Sequence, residues 1–187
     1  VKKTANYEDI LAKVVFVPTA KVVTFDISNL EQTYDGSEKE IDVDTQSGVT
    51  YDVKYNNSYD LPTEAGTYNV KVEANGNYSG MQTAILTIKK AAATGEIVGL
   101  EGSYTYGDTI TGVSVSNLQP GTNANITYAG TGIYIPQSDA PAKVGNYSVI
   151  AEITGDNYET YTVTESFVIE KKVLTVKADN TTRAYGE

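Results

Sequence analysis

The stretch Gly66–Ala74, "GTYNVKVEA", decides the class of fold. Tyr68, Val70, Val72 and Ala74 alternate with Thr67, Asn69, Lys71 and Glu73. A period of two with one apolar and one polar face predicts an antiparallel strand that packs on a core and faces water. A short turn carries Asn77 and Tyr78, and "ILTIKK" (85–90) follows with Leu86 and Ile88 on its apolar face, so the two runs predict a hairpin. Further on, "GNYSVIAEITG" (145–155) repeats the pattern with Tyr147, Val149, Ala151 and Ile153 inward, answered by Phe167 and Ile169. Upstream, Val23, Phe25 and Ile27, then Ile41 and Val43, then Val49, Tyr51, Val53 and Tyr55 alternate in the same way.

The recurrence extends to the ends of the chain. Residues 6–36, "NYEDILAKVVFVPTAKVVTFDISNLEQTYDG", align without a gap on 157–187, "NYETYTVTESFVIEKKVLTVKADNTTRAYGE". Asn6, Tyr7, Phe16, Val17, Lys21, Val22 and Tyr34 return as Asn157, Tyr158, Phe167, Val168, Lys172, Val173 and Tyr185. A third set of landmarks lies between, with "GNYSG" at 76–80 and "YTYGD" at 104–108. The register predicts a closing hairpin of a preceding repeat at 1–20, a full repeat at 21–91, a second at 92–172 and the opening strand of another at 173–187. Such a period suits a small domain with its own core and is too long for one coil of a solenoid. Roughly seven short strands per unit predict an all-β chain of two tandem immunoglobulin-like β-sandwich modules. Val1 in place of Met and the absence of a charged-then-apolar leader point to a segment of something longer. Both end strands are expected to dock on a neighbouring module or molecule, because free strand edges recruit partners.

Gly66-Thr67-Tyr68 and Gly145-Asn146-Tyr147 place a tyrosine two residues after a glycine at the start of a strand, each behind a Pro-containing loop, "LPTEAG" and "APAKVG". This resembles the tyrosine corner of immunoglobulin-like sandwiches, in which the phenol bonds an upstream backbone group. Tyr68 and Tyr147 are thus expected to be structural clamps.

Composition narrows the chemistry. The 187 residues include no Cys and no His, which removes disulfides, thiolate ligands, the commonest general base and the usual partner of a nucleophilic serine. A formal charge of -10 and a single arginine, Arg183, argue against nucleic acid. No apolar run approaches the roughly 20 residues of a membrane-spanning helix. Fifteen tyrosines and 16 glycines, with abundant Val, Ile and Thr, favour strands and turns and an extracellular setting.

Glu40, Asp42 and Asp44 share a strand face that calcium could use, yet they lack a wrapping glycine loop, and a solvated sheet face is the expectation. Asp108 and Asp156 read as turn residues. No pair of carboxylates is singled out for glycoside hydrolysis. Among the middle-segment tyrosines, Tyr51 and Tyr55 read as core by parity, Tyr128 stays open as a platform, and Tyr59 and Tyr134 are the candidate exposed rings for a sugar or a protein. Asn-x-Ser/Thr occurs at Asn56, Asn77, Asn125, Asn146 and Asn180 without singling out a modification.

The stretches "TYDG", "LPTEAGTYNVKVEANGNYSG", "ILTIKKA" and "LTVKADNTTRAYGE" resemble the repeats known as MBG or YDG domains. These are immunoglobulin-like modules in tandem in large bacterial surface and secreted proteins, including adhesins. Repeat two departs from them, with Tyr106-Gly107-Asp108 in place of Tyr34-Asp35-Gly36 and a longer middle, "NITYAGTGIYIPQSDAPAKVG". The resemblance implies non-catalytic spacer modules at a bacterial surface or in a secreted protein, related to adhesion, with neighbouring repeats as partners and no cofactor. Two other expectations stand beside it: the modules themselves bind a host glycan or glycoprotein, or they accompany an extracellular enzyme.

Overall fold

The computed structural model describes residues 14–130 and 135–180, with Arg183, Tyr185 and Gly186. Its regular elements are all strands. In repeat one they are β1 (Lys21–Val22), β2 (Asp26–Ser28), β3 (Glu31–Thr33), β4 (Asp42–Asp44), β5 (Tyr51–Tyr55), β6 (Gly66–Ala74), β7 (Tyr78–Ser79) and β8 (Met81–Lys89). Repeat two has β9 (Ala91–Ala92), β10 (Glu96–Val98), β11 (Ser103–Thr105), β12 (Ser114–Ser116), β13 (Thr122–Gly130), β14 (Gly145–Gly155) and β15 (Tyr158–Glu170). The chain is therefore all-β, in two sandwich modules of one plan.

The plan repeats strand for strand. In the first module the larger sheet has the order β3-β8-β6-β5 and the smaller pairs β2 with β4, while β1 pairs with β7. In the second, β11-β15-β14-β13 corresponds to the larger sheet and β10-β12 to the smaller, with β9 beside β15. The one difference in count arises at Gly80, where repeat one breaks β7 from β8. There φ is +151°, and a Cβ on Gly80 would stand 2.3 Å from the carbonyl oxygen of Val23, so only glycine lets the two backbones approach. Repeat two carries no glycine between Tyr158 and Glu170, and β15 runs through.

By contact, the described residues form two compact units. The first runs to Gln32 and takes in Glu38–Pro62 and Thr67–Thr87; the second joins Thr33–Ser37 and Thr63–Gly66 to the chain from Ile88 onward. The alternation read from sequence sets the core of each. In the first unit Val23, Phe25, Ile41, Tyr55, Val70, Val72 and Leu86 are buried. The core of the second holds Ile97, Tyr128, Tyr147, Val149, Ala151, Phe167 and Ile169. Each fully buried Val, Leu or Phe side chain contributes about 1.5–3 kcal/mol relative to an exposed one.

The structure closes one reading that the sequence leaves open. Tyr128, left open as a platform, lies in the core: it is 7% exposed, and its ring meets that of Phe167 edge-on at 6.3 Å. Of the two chain ends expected to dock as strands, residues 1–13 and most of 181–187 lie outside the described residues; the described segments 14–20 and 171–180 carry no strand, and Phe16, Val173, Leu174 and Val176 are exposed.

Candidate interaction surface

The G-x-Y sites come first because they fix the loops around them. Tyr147 opens β14 and folds back over Gly145, where a Cβ would lie 3.2 Å from the phenol oxygen and 3.3 Å from two ring carbons. The hydroxyl donates to the carbonyl oxygen of Lys143 at 2.9 Å, while the ring stacks on Phe167 at 5.6 Å. The glycine thus makes room for the ring, and the phenol ties the Pro141-containing loop to the core. Tyr68 stands at the corresponding point of β6 and is half-buried.

Tyr55 and Tyr128 occupy one position in the two modules, opposite Val70 and Val149 respectively. Ile41 N–H donates to the Tyr55 hydroxyl at 3.2 Å. Burial raises the Tyr55 pKa above the ordinary 10.0, the Ile41 hydrogen bond opposes that, and the nearby Glu40 charge adds to it. Each tyrosine also closes a bridge across a hairpin, Tyr55 with Ser58 and Tyr128 with Gln137. In repeat one only Asn56 and Asn57 lie inside that bridge, both at positive φ (48° and 68°), as a tight type I′ turn requires. In repeat two the bridge encloses residues 129–136. The extra length of repeat two thus falls between Tyr128 and Gln137, where residues 131–134 lie outside the described residues, and the bridge itself is the same in both repeats.

Of the two candidate rings, Tyr59 is 63% exposed, with Lys54 Nζ 4.8 Å from its centroid; Tyr134 lies outside the described residues. Asp42 and Asp44 are exposed on β4, opposite Ser28 and Asp26, and Glu40 uses its carbonyl oxygen to accept from Gln32 Nε2 at 2.8 Å. Among the described residues no group of three acidic side chains converges as a metal site would need. Glu73 is exposed, and its carboxyl titrates below the usual range because Lys71 Nζ donates to it at 2.6 Å.

Sequence reading missed one arrangement within the second compact unit. Asn157, in the turn before β15, is a hydrogen-bond hub. Its Oδ1 accepts from the Ala65 N–H at 2.8 Å, its Nδ2 donates to Glu64 Oε2, and its carbonyl oxygen accepts from the Ala91 N–H at 2.9 Å. Beside it the ring of Tyr158 meets Tyr34 edge-on at 5.5 Å. The signal was present in the recurrence of Asn-Tyr at 6–7, 77–78 and 157–158, which served only to count repeats.

Two copies of one sandwich plan, each with its own core, define a tandem β-sandwich repeat protein. The chain belongs to the MBG domain family, whose model matches residues 23–92 and again 96–173. No curated protein matches it.

Proposed function

We propose that these modules are non-catalytic, load-bearing spacers of a bacterial cell-surface or secreted protein with a role in adhesion. One observation carries the reading. Strands near the start of each module pair in parallel with strands near its end: β1 with β7, β9 with the start of β15, and β11 with the close of β15. In a parallel pair the chain enters one strand and leaves the other at opposite ends. Tension along the chain then loads all the inter-strand hydrogen bonds together, in shear, instead of opening them one at a time. A module built to transmit force would be wired in this way. The lack of His and Cys and the solvated state of Asp42 and Asp44 give a catalytic role no support.

The rival reading is that the longer middle of repeat two, including residues 129–136, binds a host glycan or glycoprotein. The test is a glycan and mucin panel probed with the whole chain and with a variant in which 129–136 are replaced by Asn-Asn. The spacer reading predicts no saturable binding by either. Saturable binding by the whole chain, lost in the variant while its core amides stay protected from hydrogen exchange, would make the modules receptors.

A further inference from the structure

Two stretches that belong to repeat one by sequence belong to the second unit by contact. They are Thr33–Ser37, which follows the start of β3, and Thr63–Gly66, the loop before β6. Pro62 O accepts from Lys39 N–H at 2.8 Å, and both residues lie in the first unit, so the loop leaves that unit just after this bond. Within the loop, Ala65 N–H donates to Asn157 Oδ1 at 2.8 Å and Glu64 Oε2 accepts from Asn157 Nδ2. In the other stretch, Tyr34 N–H donates to Lys89 O at 2.9 Å while the Tyr34 ring meets that of Tyr158 edge-on at 5.5 Å. Tyr34, Ala65, Asn157 and Tyr158 are all half-buried, so these contacts are partly shielded from water.

We infer that these two stretches open and close with repeat two and not with the core of repeat one, and that Asn157 is the positioning residue that binds them to it. A primary amide suits the task because it donates and accepts in one plane, so a single side chain holds a backbone N–H and a carboxylate of the same loop. The backbone of Asn157 is held as well: its carbonyl oxygen accepts from Ala91 N–H at 2.9 Å, beside the parallel pairing of β9 with the start of β15. Loop, turn and strand pair therefore meet at one residue. Proteins open in contiguous cooperative units, and tandem repeats add neighbour contacts to the stability of each repeat. When repeat two opens, the acceptor of Ala65 N–H and the ring beside Tyr34 are lost together. Val70, Val72 and Leu86 stay packed, because they belong to a separate core.

Native-state amide hydrogen exchange on the whole chain reads which unit each amide opens with. In the Phe167→Ala chain, protection should fall at Ala65 and Tyr34 by the same factor as at Val149 and Ala151, about a hundredfold or more, while Val70 and Val72 keep theirs. If that substitution leaves repeat two unfolded, Ala65 and Tyr34 should be as unprotected as Val149. Asn157→Ala keeps the carbonyl bond to Ala91 and removes both side-chain bonds. The Tyr34 amide, whose acceptor Lys89 O is untouched, should then exchange several-fold faster, with Val70 and Val149 unmoved. Protection at Ala65 and Tyr34 that ignores Phe167→Ala, or that is lost together with Val70 and Val72, would overturn the inference. So would a Tyr34 amide indifferent to Asn157→Ala. The inference does not rest on the spacer reading, whose failure shows instead as saturable glycan binding.

Discussion

Repeat one and repeat two solve the same packing problem with different side chains. Val70 and Val72 correspond to Val149 and Ala151, Tyr55 corresponds to Tyr128, and all are buried. At the centre of the last strand they part: Leu86 in repeat one, Phe167 in repeat two. Phe167 gathers Tyr104 and Tyr128 edge-on and stacks with Tyr147, at centroid distances of 5.7, 6.3 and 5.6 Å. In repeat one the ring pair is elsewhere, Phe25 against Tyr51 at 5.6 Å, and belongs to the side of β2 and β5. The plan is thus set by strand parity and register, while the contents of the core vary. The aromatic cluster gives repeat two one point on which three rings converge.

That contrast can be broken at its strongest place first. Phe167→Ala removes the ring that three others contact and should cost repeat two about 3–5 kcal/mol. Amide hydrogen exchange should then show lost protection at Val149 and Ala151. Protection at Val70 and Val72 should be kept, because those residues belong to a separate core.

The hairpin tip offers a smaller effect of opposite sign. Shortening 129–136 to Asn-Asn reduces eight enclosed residues to two. Two halvings of loop length at about 0.6 kcal/mol each should stabilise repeat two by about 1 kcal/mol in a denaturant titration. Destabilisation would mean that the tip packs on the sandwich and is not merely carried by the Tyr128–Gln137 bridge.

Of similar size is the clamp. Tyr147→Phe keeps the ring over Gly145 and removes the bond to Lys143 O, at a cost of about 0.5–1.5 kcal/mol measured by chemical denaturation. A loss several times larger would mean that the phenol organises more of the 140–145 loop than one hydrogen bond.

The smallest effect separates the modules by pH. Because burial raises the folded-state pKa of Tyr55, the neutral phenol is favoured in the folded state. Its contribution is intact below the ordinary value of 10.0 and is lost as pH rises from there through the folded-state value. Tyr55→Phe should therefore flatten part of the alkaline loss of stability in repeat one. The corresponding loss in repeat two should not move.

Much of this was legible from the chain because strands report their burial through a period of two. That alternation assigns Val70, Val72, Leu86, Val149, Ile153 and Phe167 inward, and all are buried. Tyr128 was missed although Ile126 stands two residues before it, because the long middle of repeat two obscured where its strand begins. Strand order was not legible: parity states which face is buried and says nothing about which strand is the neighbour. The hub at Asn157 was hidden for a related reason. An Asn in a turn reads as turn chemistry, and only the fold brings Glu64 and Ala65 to it across more than 90 positions of chain.

The central claim is that each repeat has its own core and that its parallel strand pairs bear tension, and pulling a single molecule by its ends tests it most directly. The account predicts two unfolding events, each releasing roughly 200–250 Å of chain for a repeat of this length. Because forced unfolding is governed by the unfolding barrier, Phe167→Ala should lower the force of one event and leave the other unchanged. A single event for the whole chain, or extension at low force as the strands peel apart in turn, would contradict it.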